Sequence, residues 1–176
     1  CVQPNAMDIS YFIRKGGAEN NLKQDLEAAR GYQWSVRVGS NHGTTAKVYT
    51  RNHTFMAGQP ADFGTSVDAP SAVDYLLGAL ATCLTVGYRM HASRHSLVVD
   101  ALELNLKGKL DNVLYHMQLE DTGSPALSQI SGTFYVSSAE DEEKLKDIWR
   151  LTIERSPIYQ TLCHQVKIDI KLTIVL

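Results

Sequence analysis

The sequence predicts an α+β protein, with helices packed on one face of a mainly antiparallel sheet. Three observations carry this. A long stretch rich in small residues, from Ser71 to Arg94, has helical periodicity. Alternating and β-branched segments stand on both sides of it. Beyond it the order is strand, helix and a last strand, and no segment repeats internally.

Taken in order, residues 17–30, around AENNLKQDLEAAR, read as a polar amphipathic helix that Gly31 ends. Residues 1–32 form an N-terminal extension carrying that helix, and residues 33–176 form the main domain. YQWSVRVGS and TTAKVYTRNHTF, with NHG between them, read as a two-stranded hairpin. Residues 56–70 hold Gly58, Pro60, Gly64, Asp68 and Pro70 and read as a loop. The long helix starts at Ser71, a plausible N-cap, with Asp74 three residues on in capping-box spacing. Leu76, Ala79, Leu80, Cys83, Val86, Gly87 and Met90 make its apolar stripe. Gly78, Ala79, Ala81 and Gly87 would let a second backbone approach closely. SLVVDALELNLKGKLD reads as a strand, with Leu102, Leu104 and Leu106 on one face. Residues 111–119 extend a second strand, DTGSP turns, and QISGTFYVSS is another strand. EDEEKLKDIWRLTIER is an amphipathic helix that Pro157 stops or kinks. QVKIDIKLTIVL closes the chain as an alternating strand.

Composition narrows the function. The chain has 176 residues, 44% hydrophobic and 20% charged, with net charge −2. That suits one globular domain with an adequate core. Charges of both signs are mixed, so no basic block points to nucleic acid and no polybasic anchor points to a membrane surface. The apolar centre of the long helix is too short and too rich in Gly, Thr and Ala to span a bilayer. The chain begins at Cys1 and not Met, so upstream residues are expected. Cys1, Cys83 and Cys163 are odd in number and widely spaced, which argues against a disulfide framework and for a reducing, cytoplasmic setting. No C-x-x-C pair suggests zinc, no glycine run has phosphate-loop spacing, and no cofactor is expected. His91 and His95 share a helix face but lack further ligands, so a solvated helix end is the simpler reading.

APSAVDYLLGALATCL resembles the cysteine-bearing helix of the OsmC/Ohr family, in which a Pro-Ser or Pro-Asn opening precedes LLxALxxC. The strand that follows, and the distal order of strand, helix, Pro-containing turn and strand, fit the family over residues 33–176. The resemblance implies an intertwined homodimer with two sites at the subunit interface. It also implies reduction of organic hydroperoxides by the helix cysteine, which is Cys83 here. In the family a second cysteine in a CPV-like turn resolves the sulfenic acid, an arginine and a glutamate assist, and dihydrolipoyl proteins serve as reductants. Here SPI stands in place of CPV, so Ser156 replaces the resolving cysteine. Cys163 is seven residues further on, about 10 Å along a helix, and a disulfide needs Cα atoms within about 7 Å. The glutamate position is Val73, with Asp74 adjacent. Arg37 and Arg51 are the candidates for the assisting arginine.

Cys83 then has two readings. A thiol of ordinary pKa near 8.5 is only about 3% ionised at pH 7, and shifting it to about 6 takes roughly 3.4 kcal/mol. Burial mid-helix opposes that shift, so a nearby cation would have to supply it. With such help the chain is a peroxidase that relies on an external thiol. Without it Cys83 is a small buried hydrophobe. The chain is then a non-catalytic dimer holding a small apolar molecule at its interface, or a structural or regulatory dimer.

Overall fold

The computed structural model describes residues 30–31, 33–40, 43–58, 69–164 and 168–173. The chain divides into two compact units, Cys1–Leu76 and Leu77–Leu176. The architecture is α+β with antiparallel sheets, as the sequence predicts. The helix expected over residues 17–30 lies outside the described residues except at Arg30.

In the first unit, β1 (Arg37–Gly39), β2 (Ala46–Thr50) and β3 (His53–Ala57) form an antiparallel sheet in that order. The register aligns Val38, Val48 and Phe55 in one apolar row. The expected single strand TTAKVYTRNHTF is therefore two strands. Thr50 pairs with His53 across a two-residue turn, and Arg51 takes φ +50°. Hairpin turns of this length need such a backbone, and Gly or Asn supplies it at least cost. Arg51 carries no such signature, so the turn was hidden. Gly58, placed in a loop by the sequence, pairs with Ser71, and its N–H donates to Pro70 O at 2.9 Å. Tyr75 donates from its hydroxyl to Met56 O at 2.6 Å, and its ring lies 4.8 Å from that of Phe55.

Helix α1 (Ala72–Arg94) begins in this unit and continues into the next. The capping box forms as expected. Asp74 N–H donates to Ser71 Oγ at 3.0 Å, and Asp74 Oδ2 accepts from both the N–H and the Oγ–H of Ser71, at 2.9 and 2.7 Å. Two otherwise orphaned backbone donors are satisfied reciprocally.

The second unit contains β4 (Ala101–Leu110), α2 (Val113–His116), β5 (Leu127–Ser137), α3 (Glu142–Arg155) and α4 (Pro157–Cys163). β4 and β5 pair antiparallel from Ala101↔Ser137 to Leu110↔Leu127. Residues 111–119 do not extend a second strand. Asn112 caps α2 by accepting from Tyr115 N–H at 3.1 Å, and Gln118 turns the chain at φ +59°. Asn112 also donates to Glu120 at 2.7 Å. Gly123 crosses directly over Asn112 with φ +142°, and a Cβ there would lie 2.7 Å from Nδ2. These side-chain bonds offer the backbone an alternative to a ladder. The terminal strand is not formed within residues 168–173 either. Ile168, Ile170 and Leu172 are 79, 87 and 88% exposed, so their alternation has no partner ladder within the described chain.

The core of this unit is Tyr88, Ala92 and Ile148, with Leu102, Phe134, Val136 and Trp149 packed round it. Phe134 stacks on Trp149 at 4.8 Å and tilts against Tyr88 at 5.1 Å. The buried positions of α1 are Leu80, Leu84, Tyr88, His91 and Ala92. The expected stripe is thus rotated. Leu80 keeps its place, but Val86 is 61% exposed and Tyr88 is fully buried. Tyr88 can occupy that position because its hydroxyl has an acceptor, Leu145 O at 3.0 Å. Among the described residues nothing lies within 4 Å of a Cβ at Gly78, whereas Gly87 faces Thr152 Cγ2, 3.6 Å from an ideal Cβ.

His91 is buried, not solvated. Burial lowers its pKa first, and the positive charges of Arg94 and Arg155, then His95, lower it further. The unfolded chain therefore binds the His91 proton more readily than the folded chain. This contribution to stability is complete above about pH 6.5 and falls as pH drops below it, levelling off beneath the lowered folded pKa. Urea melts between pH 7.5 and 5 should show this loss. His91→Gln should flatten it, and an unchanged pH slope in that variant would refute the assignment.

A cysteine and serine facing each other between two helices

The site is set by the crossing of α1 and α3. Along α1, the residues that meet α3 and its end are Cys83, Gly87 and Tyr88. Along α3 they are, in reverse, Ser156, Thr152 and Leu145. Cys83 is four residues before Gly87, and Ser156 four after Thr152. Each step is about one helical turn, so the antiparallel crossing carries Cys83 onto Ser156. Their γ atoms lie 3.2 Å apart. Cys83 is half-buried, and Ser156 is 3% exposed.

Ser156 also joins the two helices. It is the C-cap of α3 and the N-cap of α4, with Pro157 at the first helical position. Its N–H donates to Ile153 O at 3.4 Å, and its carbonyl accepts from Gln160 N–H at 3.0 Å. Its Oγ accepts from Tyr159 N–H at 3.3 Å. A Ser-Pro step reads as such a junction in sequence, since serine caps and proline is preformed for the first turn.

The structure brings together Cys83 and Ser156. The other candidates have tasks elsewhere. Arg37 lies over the Tyr49 ring at 4.1 Å, with Lys47 at 5.4 Å from the same ring. Arg51 occupies the β2–β3 turn. The Asp74 carboxylate is engaged in the helix cap. Cys163 ends α4, is exposed, and like Cys83 is free. Tyr159 hydrogen-bonds Cys163, which raises the phenol's pKa, with the neighbouring thiol's charge and partial burial adding to it. His95 Nδ1 lies 2.9 Å from His91 O. Among the described residues no group of three or more His, Cys, Asp or Glu could hold a metal ion, and no helix is long and apolar enough to cross a membrane. Sequence reasoning missed Thr152, 1% exposed, whose hydroxyl returns to Ile148 O at 2.7 Å. That bond lets a polar residue face Gly87 at the crossing. Its only sequence cue is its place four residues before Ser156.

The family profile for OsmC-like proteins matches residues 64–171. The chain belongs to the OsmC-like family. Solved OsmC-like structures share the fold. The protein from Mycoplasma pneumoniae is 16% identical with a TM-score of 0.65, over 76% of this chain and 89% of that one. An OsmC-like protein of unknown function from Vibrio cholerae is 14% identical with a TM-score of 0.56, over 74% and 93%. An OsmC-like hydroperoxide resistance protein from Jannaschia is 15% identical with a TM-score of 0.50, over 79% and 91%. No curated protein matches the chain.

Within this OsmC-like chain, the γ atoms of Cys83 and Ser156 are already close enough for a covalent bridge to need little movement. Ser156→Cys should form a disulfide with Cys83 on mild oxidation. Non-reducing peptide mapping checks this. A bridge to Cys163 in its place would show that position 156 is not the one facing Cys83 in solution.

Proposed function

We propose that this OsmC-like protein reduces organic hydroperoxides through Cys83, as a homodimer that uses an external thiol. The contact between Cys83 and Ser156 carries the reading: the helix cysteine is only partly buried, and its sulfur faces the residue standing where the resolving cysteine would be. The name of the Jannaschia neighbour, a hydroperoxide resistance protein, supports the substrate class. The setting we assign is the cytoplasm, where a free thiol is kept reduced.

The chemistry runs in two stages. The Cys83 thiolate attacks one peroxide oxygen. An S–O bond forms, the O–O bond breaks, and the alkoxide leaves to take up a proton as the alcohol. The sulfur loses two electrons and the peroxide gains them. With serine at position 156, the residue facing Cys83 offers the sulfenic acid no thiol. An external thiol, such as a dihydrolipoyl group, attacks the sulfur and expels water. A second thiol then breaks the mixed disulfide, returning Cys83 to the thiol and releasing an oxidised dithiol.

Cumene hydroperoxide with dithiothreitol or a dihydrolipoyl reductant tests this directly. Wild type should turn over, and Cys83→Ser should lose at least about a hundredfold, the scale on which loss of a nucleophile is read. Cys163→Ser should retain activity. With limiting peroxide and no reductant, Cys83 should gain one oxygen, and excess peroxide should carry it to the sulfinic acid. Inert Cys83 with no turnover would overturn the reading and leave an OsmC-like ligand-binding dimer.

The dimer is supported by exposed apolar surface in both units. Val36 and Val38 are 66 and 55% exposed in the first, and Ile168, Ile170 and Leu172 are 79, 87 and 88% exposed in the second. Soluble monomers rarely leave such surface uncovered. Sedimentation at micromolar concentration should give a dimer, and a folded monomer would refute it.

A further inference from the structure

We infer that Ser156 is a hydrogen-bond donor to the Cys83 sulfur, holding it in the form that attacks, and not merely a smaller residue left where a cysteine would stand. The inference builds on the proposed reading of Cys83 as the nucleophile, but its test does not pass through turnover.

A serine carries one backbone donor, one backbone acceptor, one hydroxyl hydrogen and two hydroxyl lone pairs. At Ser156 the N–H goes to Ile153 O, and the carbonyl receives Gln160 N–H. One hydroxyl lone pair receives Tyr159 N–H. The hydroxyl hydrogen remains. With 3% of the residue exposed, water is a poor outlet for it. Its partner among the described residues is Cys83 Sγ at 3.2 Å, a contact in which either atom could donate. A buried hydroxyl hydrogen left without an acceptor costs about 1–3 kcal/mol. If the thiol donated to Oγ, the serine hydrogen would be left in that state. A thiolate accepts it, and hydrogen bonds to an ionised partner are the stronger ones. The geometry therefore directs the hydroxyl hydrogen at the sulfur, where it is worth most to an ionised partner.

Serine is also held there by its two caps, so the donor does not depend on a flexible side chain. Threonine could keep both the cap and the O–H. Glycine keeps most of the capping stability while removing the hydroxyl, since Gly at an N-cap costs only a few tenths of a kcal/mol. That separates hydrogen bonding from helix capping.

The experiment measures the rate of Cys83 alkylation by iodoacetamide from pH 5 to 10. Mass spectrometry of the Cys83 peptide keeps Cys1 and Cys163 from interfering, and circular dichroism confirms folding. In Ser156→Gly and Ser156→Ala the pH midpoint should rise by about one unit, roughly a tenfold loss of thiolate below the midpoint. Ser156→Thr should stay near wild type. A midpoint that does not move, or falls, in the Gly and Ala variants would overturn the inference. So would a Thr variant that shifts as far as Gly, because packing and not donation would then explain the effect. Wild type that alkylates as described but fails to reduce hydroperoxides would sink the peroxidase reading and leave this one standing.

Discussion

The burial of Tyr88 against α3 is the constraint on which the second unit depends. A phenol can be fully enclosed only if its oxygen is paired, and Leu145 O provides the partner. That bond fixes the rotation of α1 about its axis and its height along α3. With both set, Gly87 must come up against Thr152, and Cys83 against Ser156, one turn further along. The aromatic group of Tyr88, Phe134 and Trp149 then fills the space between the helices and β5. A Tyr88→Phe substitution would remove this bond, leaving Leu145 O only its helical donor, and loosen the same register. The contact between Cys83 and Ser156 is therefore a consequence of packing about one to two turns away.

Much of this was legible in the sequence where local chemistry decides the outcome. Ser71 and Asp74 announce a capping box, and one forms. The Ser-Pro step announces a junction, and Ser156 caps on both sides of it. The residues around Cys83 revealed the OsmC-like helix, and SPI located the partner position. Three things stayed hidden because tertiary context decides them. The buried face of α1 turns on the paired hydroxyl of Tyr88, which a count of apolar residues ignores. The β2–β3 turn uses Arg51 in a backbone conformation for which arginine gives no signal. The stretch after β4 looks like a strand by composition, yet Asn112 diverts it by capping α2 and bonding Glu120.

The alternation of Ile168, Ile170 and Leu172 is a different kind of failure. The pattern that predicts a strand is present, but a strand needs a ladder as well as a pattern. Hydrophobic periodicity reports which face is to be covered and says nothing of which chain covers it. The same holds for Gly78, whose missing side chain leaves space that nothing among the described residues uses. By contrast the space at Gly87 is used, because Thr152 lies in van der Waals contact with where its Cβ would be. Small residues on one helix thus have two explanations, one inside the unit and one that looks outward.

Exchanging cysteine for serine at position 156 alters chemistry more than structure. Both side chains are small and both can approach a facing sulfur closely. A thiolate can displace the oxygen of a sulfenic acid and form a disulfide, whereas a hydroxyl near neutral pH has no comparable nucleophilicity. What the hydroxyl offers is a short, directional donor. Its placement costs little, because each polar atom of Ser156 has a use: two backbone groups in the helix ends, a lone pair in the α4 cap and a hydrogen directed to the sulfur. The residue is consequently fixed on one side of Cys83. Cys83 as a whole stays only partly buried. On the proposed reading, the peroxide and, later, the external thiol share one approach and act in turn, so the oxygen leaves the sulfur before the next peroxide can arrive productively.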